Sequence, residues 1–196
     1  MSSHVAKIIC AGGVIAFRTD TFYGLGVDPF NVAAVAKIRE LKGREENKPI
    51  LLLLADVSVV GRFIEDQSAD FDRIARRFWP GPLTIVGRAV ADLPPEITAG
   101  TGTVGVRVPD DSSVRELVRE CGGALTATSA NPSSLPPART AQEVRDYFGD
   151  AIDLVIDGGE VTATEPSTVL DATNSPPRII REGAVSAADL NKALDN

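Results

Sequence analysis

Residues 50–55, ILLLLA, form the longest unbroken run of strongly apolar side chains in the chain. Such a run without polar alternation fits a strand buried on both faces, whereas a bilayer-spanning helix needs about 20 apolar residues. A strand of that kind has to lie inside a sheet, with helices or a second sheet against each face. The rest of the sequence must supply both the neighbours and the covers. At 196 residues the chain is long enough for one such core and short for two, so residues 1–196 are expected to form a single domain. A hydrophobic share of 43% with only 5% aromatic residues predicts a core of Val, Ile, Leu and Ala.

Helical spacing and capping signals provide the covers. Ser3 can cap a helix over residues 5–10, and Asn31 one whose apolar positions Ala34, Val35, Ile38 and Leu41 recur at helical spacing before Gly43 ends it. Further helices fit residues 56–65 and 70–78. Val114, Leu117, Val118 and Cys121 form another stripe behind Asp111 or Ser112, Thr140 and Glu143 make a capping box, and a last helix starts near Ser186. Strands are predicted at 14–17, 83–86, 104–108, 124–128, 154–156, 168–170 and 178–181. The polar, glycine-containing stretch 18–26 follows the first strand directly, and the proline-bearing stretch 132–137 reads as the longest irregular segment beside a strand end. This interleaving predicts one mixed α/β sheet covered by helices, without the regular repeat of a βα barrel or a doubly wound fold.

Composition removes several functions. A formal net charge of −7 gives no global basic field for duplex binding, although a local basic cleft stays open. Cys10 and Cys121 lack metal-ligand spacing and are expected to be ordinary core thiols. His4 is the only histidine and lies near the terminus, and no GxSxG elbow is present, which disfavours a catalytic triad. Neither GxxxxGK[ST] nor GxGxxG occurs, so a P-loop ATPase or a dinucleotide dehydrogenase is disfavoured too. The start MSSHVAKIICAGG has no basic segment followed by a long apolar run, and the cytoplasm is the expected compartment.

Four groups could carry chemistry. Lys42, Arg44 and Lys48 follow a predicted helix; they either complement its C-terminal dipole as solvated charges or bind a polyphosphate. Residues 128–131, TSAN, follow a predicted strand and form either a turn or a set of hydroxyl and amide groups for phosphate. Thr19, Asp20, Thr21 and Tyr23 are equally consistent with a polar turn and with contacts to a small polar ligand. Arg107 alternates with Val106 and Val108, so it projects from the opposite face of its strand, into a cleft or into solvent, where a carboxylate would suit its donor fork. Arg181, before Glu182 and Gly183, carries the same ambiguity.

In combination these segments resemble the YrdC-like family of threonylcarbamoyladenylate synthases in its short single-domain form. The resemblance runs from about Val5 to Gly183 and rests on RTDTFYGLG, KGREENKP, WPGPLT, VGVRVP, TSANPSS, STVLD and REG in that order. Its most informative part is the pairing of Lys42-Gly43-Arg44 with Ser129-Ala130-Asn131. The resemblance implies a twisted mixed sheet surrounded by helices, with an electropositive concave cleft. It also implies a reaction of ATP, bicarbonate or CO2, and L-threonine that releases pyrophosphate, with Mg2+ held mainly by ATP and water.

By the same resemblance, Lys42, Arg44, Ser129 and Asn131 are the expected catalytic, phosphate-facing set. Lys48, Ser167 and Arg181 are expected on the nucleotide side, and Thr19, Thr21, Tyr23 and Arg107 around threonine. No protein metal ligand is implied. The implied partners are the downstream machinery that transfers threonylcarbamoyl to tRNA, with weak or transient contact to tRNA itself and none to a membrane. Two positions depart from the family pattern: Arg18 stands where proline is common, and Ser134 where glycine often follows SAN. The alternatives are a related RNA-binding protein without efficient synthase activity, or a carbamoyl-adenylate-forming domain.

Overall fold

The computed structural model describes residues 3–43, 49–163 and 165–194. The chain begins with α1 (His4–Cys10), β1 (Ile15–Arg18), β2 (Tyr23–Gly26), α2 (Val32–Lys42) and β3 (Leu51–Leu54). It continues through α3 (Ala69–Phe78), β4 (Leu83–Arg88), the single turn α4 (Pro95–Thr98), β5 (Thr103–Arg107) and α5 (Ser112–Glu120). Then come β6 (Ala124–Ser129), α6 (Ala141–Phe148), β7 (Leu154–Ile156), β8 (Thr168–Asp171), β9 (Arg178–Arg181) and α7 (Ala187–Leu194). The described strands form one sheet in the order β7-β1-β2-β6-β3-β5-β4-β8-β9. The ILLLLA strand is thus the middle one, antiparallel to β6 and parallel to β5. The pairs β1–β7 and β4–β8 are also parallel, and the others are antiparallel, so the sheet is mixed as predicted.

Because successive strand side chains point to opposite faces, the apolar run feeds two cores. Leu52 and Leu54 enter the larger one with Ile85, Val104, Val106 and Leu170, where Val35 and Ile38 of α2, Ile74 of α3, Val144 of α6 and Leu190 of α7 cover them. Leu53 and Ala55 enter the smaller one with Ile15, Phe17 and Leu125, beneath Ile9 of α1 and Val114 and Val118 of α5. The strands β4, β5 and β8 give no residue to this smaller core. On their side of the sheet, that second face is left open.

The predicted caps form. Ser3, Asn31 and Asp111 accept bonds from the first-turn amides of α1, α2 and α5, and Thr140 and Glu143 make a reciprocal capping box on α6. Three expectations need correction, and one helical turn is additional. Residues 56–65 hold a 3₁₀ helix, Val57–Arg62, rather than a longer helix. The stretch 18–26, for which no strand is expected, contains β2, where Gly26 serves close packing: a Cβ at that position would lie 2.7 Å from Cε1 of Phe17. The turn α4 is too short to show any periodicity. Cys10 is exposed and Cys121 only half-buried, because α1 buries Ala6 and Ile9 and Cys121 caps α5 at its end. No helix of the described residues is long and apolar enough to cross a membrane.

Candidate functional site

The open half-face forms a cleft of about 460 Å³. Alternation along the strands decides its lining: Leu83 and Ile85 of β4 point into the large core while Thr84 and Val86 face the cleft. On β5, Val104 and Val106 turn inward and Thr103, Gly105 and Arg107 face out. A Cβ at Gly105 would come within 3.1 Å of Thr84 Cγ2, so the glycine keeps the floor low. Val169, Ile180 and Arg181 from β8 and β9, and Ser129 from β6, complete the opposite walls.

The β1–β2 turn supplies one rim. Thr19 Oγ1 donates to Phe22 O at 2.7 Å and accepts from the amides of Thr21 and Phe22, which fixes the turn and brings Thr21 to the cleft. Thr21 Oγ1 then accepts from Arg107 Nη1 at 3.3 Å. Arg107 is 2% exposed; its Nε donates to Gly81 O at 3.0 Å, and its Nη2 pairs with Asp20. Burial lowers the Arg107 pKa from its ordinary value, the Asp20 carboxylate opposes that shift, and the nearby Arg181 adds to it. Tyr23 forms part of the wall, but its ring is buried and its hydroxyl donates to Gly159 O at 2.9 Å while accepting from Gly158 N at 3.1 Å. Burial pushes that phenol up, and the bond from Gly158 acts against it.

The KxR and SxN segments do meet. Lys42 Nζ, on the last turn of α2, donates to Asn131 O at 2.9 Å and Asn131 Oδ1 at 3.2 Å. It also donates to the carbonyl of Ser129 and, at 3.3 Å, to its Oγ. An ammonium has three protons, and these four acceptors already outnumber them. Lys42 is 5% exposed and sits behind the cleft wall rather than in it. Asn131 is likewise engaged, donating through Nδ2 to Pro132 O at 2.9 Å and to Leu135 O. The pair thus shapes the 129–135 turn, and Ser129 alone of the three lines the cleft. Arg44 and Lys48 lie outside the described residues.

On the far rim Arg181 Nη2 donates to Ser167 O at 2.8 Å, and Ser167 Oγ lies 3.1 Å from Thr84 Oγ1. Burial lowers the Arg181 pKa as well. Both guanidiniums remain charged at neutral pH. Arg18 faces away from the cleft: its Nη1 donates to Gly158 O at 3.3 Å and lies 3.9 Å from an oxygen of Asp111. Ser134 needs no glycine-like backbone, since Ala99 is the one non-glycine with positive φ among the described residues. Thr84, Thr103 and Gly105 went unnoticed in the sequence, although the alternation that singled out Arg107 also places Thr103 and Gly105 on its face.

Two guanidiniums, several hydroxyls and no carboxylate among the described lining residues make this a cleft suited to anions, on one half-face of a mixed, helix-covered α/β sheet. The chain belongs to the Sua5/YciO/YrdC family, described as telomere recombination, which residues 7–183 match. It is 38% identical over 168 residues to a threonylcarbamoyl-AMP synthase of Halorhodospira halophila, covering 86% of this chain and 88% of that one. It is 34% identical over 189 residues to the threonylcarbamoyl-AMP synthase of Pyrococcus abyssi, covering 96% of this chain but only 56% of that longer protein. The crystal structure of Pyrococcus abyssi Sua5 complexed with L-threonine superposes with a TM-score of 0.92, at 34% identity and with the same 96% and 56% coverage.

Proposed function

We propose that this chain is an L-threonylcarbamoyladenylate synthase acting as a single catalytic domain. The observation that carries the proposal is the cleft itself: Arg107 and Arg181 face one cavity with Ser129 and Ser167, in a chain related to proteins of that activity. In this reading L-threonine and bicarbonate or CO2 give threonine carbamate. A carbamate oxygen attacks the α-phosphorus of ATP, the bond to the β-phosphate bridging oxygen breaks, and pyrophosphate leaves. The chemistry needs no enzyme nucleophile; it needs positioning and charge stabilisation.

Arg107 takes the threonine carboxylate, with Thr19 and Thr21 shaping that end. Arg181, Ser167 and Ser129 face the nucleotide, and Arg44 and Lys48 are assigned to its phosphates. Lys42 and Asn131 serve by holding Ser129 in place, and Tyr23 by anchoring the 158–159 loop against β2. The hydroxyls and cations of the lining are poor ligands for a metal, so Mg2+ fits this cleft as a charge carried on ATP and completed by water. The product would pass to the machinery that modifies tRNA, in the cytoplasm, with at most transient contact between this acidic chain and tRNA.

The test is mass spectrometry of a reaction containing purified protein, ATP, Mg2+, bicarbonate and isotopically labelled threonine. Labelled threonylcarbamoyladenylate should form, and omitting threonine or bicarbonate should abolish it. Tight tRNA binding without threonine-dependent pyrophosphate release would overturn the proposal, as would product formed only from carbamoyl phosphate.

A further inference from the structure

The buried Arg107 is oriented from behind. Its carboxylate partner, Asp20, does not line the cleft; it lines a separate hollow on the other side of the β1–β2 turn, together with Asp110 and Glu165. Thr21 belongs to both walls, so the turn is a partition with Arg107 on the cleft side and Asp20 on the other. Asp20 also ties the turn to the chain beyond β5, accepting from the Asp110 amide at 3.4 Å. Gly81 O, Thr21 Oγ1 and Asp20 thus hold the three guanidinium nitrogens one each. A guanidinium has five N–H groups, so these three contacts do not use up its donors, and Arg107 is among the residues that line the cleft.

We infer that Asp20 is a positioning residue for amino-acid recognition: from outside the cleft it sets the plane of Arg107 and thereby the affinity for the threonine carboxylate. The inference rests on the functional reading above. Asp20 lies outside the cleft lining, and it acts on the substrate through Arg107, with its bond from the Asp110 amide steadying the turn that carries Thr21. A second consequence is electrostatic. Arg181 stands close enough to disfavour the charge on Arg107, and Asp20 offsets that effect from outside, with no carboxylate among the described residues that line the cleft. An acid placed inside the cleft would instead compete with the substrate carboxylate.

The experiment compares direct binding of L-threonine, L-threoninamide and ATP to wild-type protein, Asp20→Asn and Asp20→Glu by calorimetry, with thermal unfolding on the same samples. Asp20→Asn should weaken threonine binding by roughly tenfold and narrow the preference for threonine over threoninamide, because the fork is no longer held in register. Its ATP affinity should stay within about threefold, since Arg181 and Ser129 are untouched. Asp20→Glu keeps the charge but displaces the carboxylate by one methylene, and should lose several-fold of threonine affinity in the same pattern. If the Asn variant fails to fold, the Glu variant decides. Unchanged threonine affinity in a folded variant overturns the inference, and so does an equal loss for threonine and ATP, which marks a merely structural residue. Absence of threonine binding by the wild-type protein overturns the functional reading along with it, whereas wild-type binding indifferent to position 20 sinks this inference only.

Discussion

Arg107 places a permanent charge at 2% exposure, and a charge so buried persists only with partners. Removing one side of such a pair typically costs about 3–5 kcal/mol, because the other is left uncompensated. Arg107→Ala is therefore expected to lower stability by a few kcal/mol, roughly within that range, and to weaken threonine binding more than ATP binding. Thermal unfolding and calorimetry on one preparation separate the two effects, and selective ATP loss would move Arg107 to the nucleotide side. The cysteines give an independent check on local environment. Burial, with smaller contributions from Glu120 and Cys10, pushes the Cys121 thiol up to about 11, so its thiolate appears only as pH rises toward that value. At pH 8 about one molecule in a thousand carries that thiolate, and alkylation followed by mass spectrometry should find exposed Cys10 labelled well before Cys121. Arg107 was legible because a charge alternating with valines must face away from them. Its partners were not, since nothing in TDT says that Asp20 and Thr21 will meet an arginine on β5, in the case of Thr21 86 positions away.

At the scale of elements, caps and periodicity are local properties, and the helices they mark are present. Strand β2 escaped because two of its four residues are glycines, which ordinarily weaken a strand. The reason they are tolerated lies on β1, where the Phe17 ring occupies the space a side chain at Gly26 would need. Gly26→Ala should cost about 1–3 kcal/mol by overpacking, read as a lowered midpoint in urea unfolding. A stability equal to wild type would show that the ring has room to move. The turn after β6 follows a different logic, since its side chains are bonded rather than packed. Asn131→Ala removes an acceptor for the Lys42 ammonium and two donors to the 132–135 carbonyls, so about 2 kcal/mol should be lost together with synthase activity. Full activity with that stability loss would separate the turn from the chemistry.

For the molecule as a whole, ligands that bind only the folded cleft must stabilise the entire sheet that builds it. At a hundredfold excess over its dissociation constant a ligand adds about 2.7 kcal/mol, so ATP and threonine should each raise the thermal midpoint by roughly 5–10 °C. No shift with either would mean that the cleft does not bind them. The sequence by itself determined the middle strand, the capped helices and the face of Arg107, because each follows from side-chain period and bonds between near neighbours. Only the tertiary structure decided which of the described cations meet the cleft. Lys42 and Ser129 are 87 positions apart, and the strand order β7-β1-β2-β6-β3-β5-β4-β8-β9 that joins them comes from non-local pairing. That pairing turned Lys42 toward the backbone of the SxN turn and left Arg107 and Arg181 facing the opening. Which of several similar charges is exposed to a ligand depends on where helices α1 and α5 stop covering the sheet, and no local pattern in the chain encodes that edge.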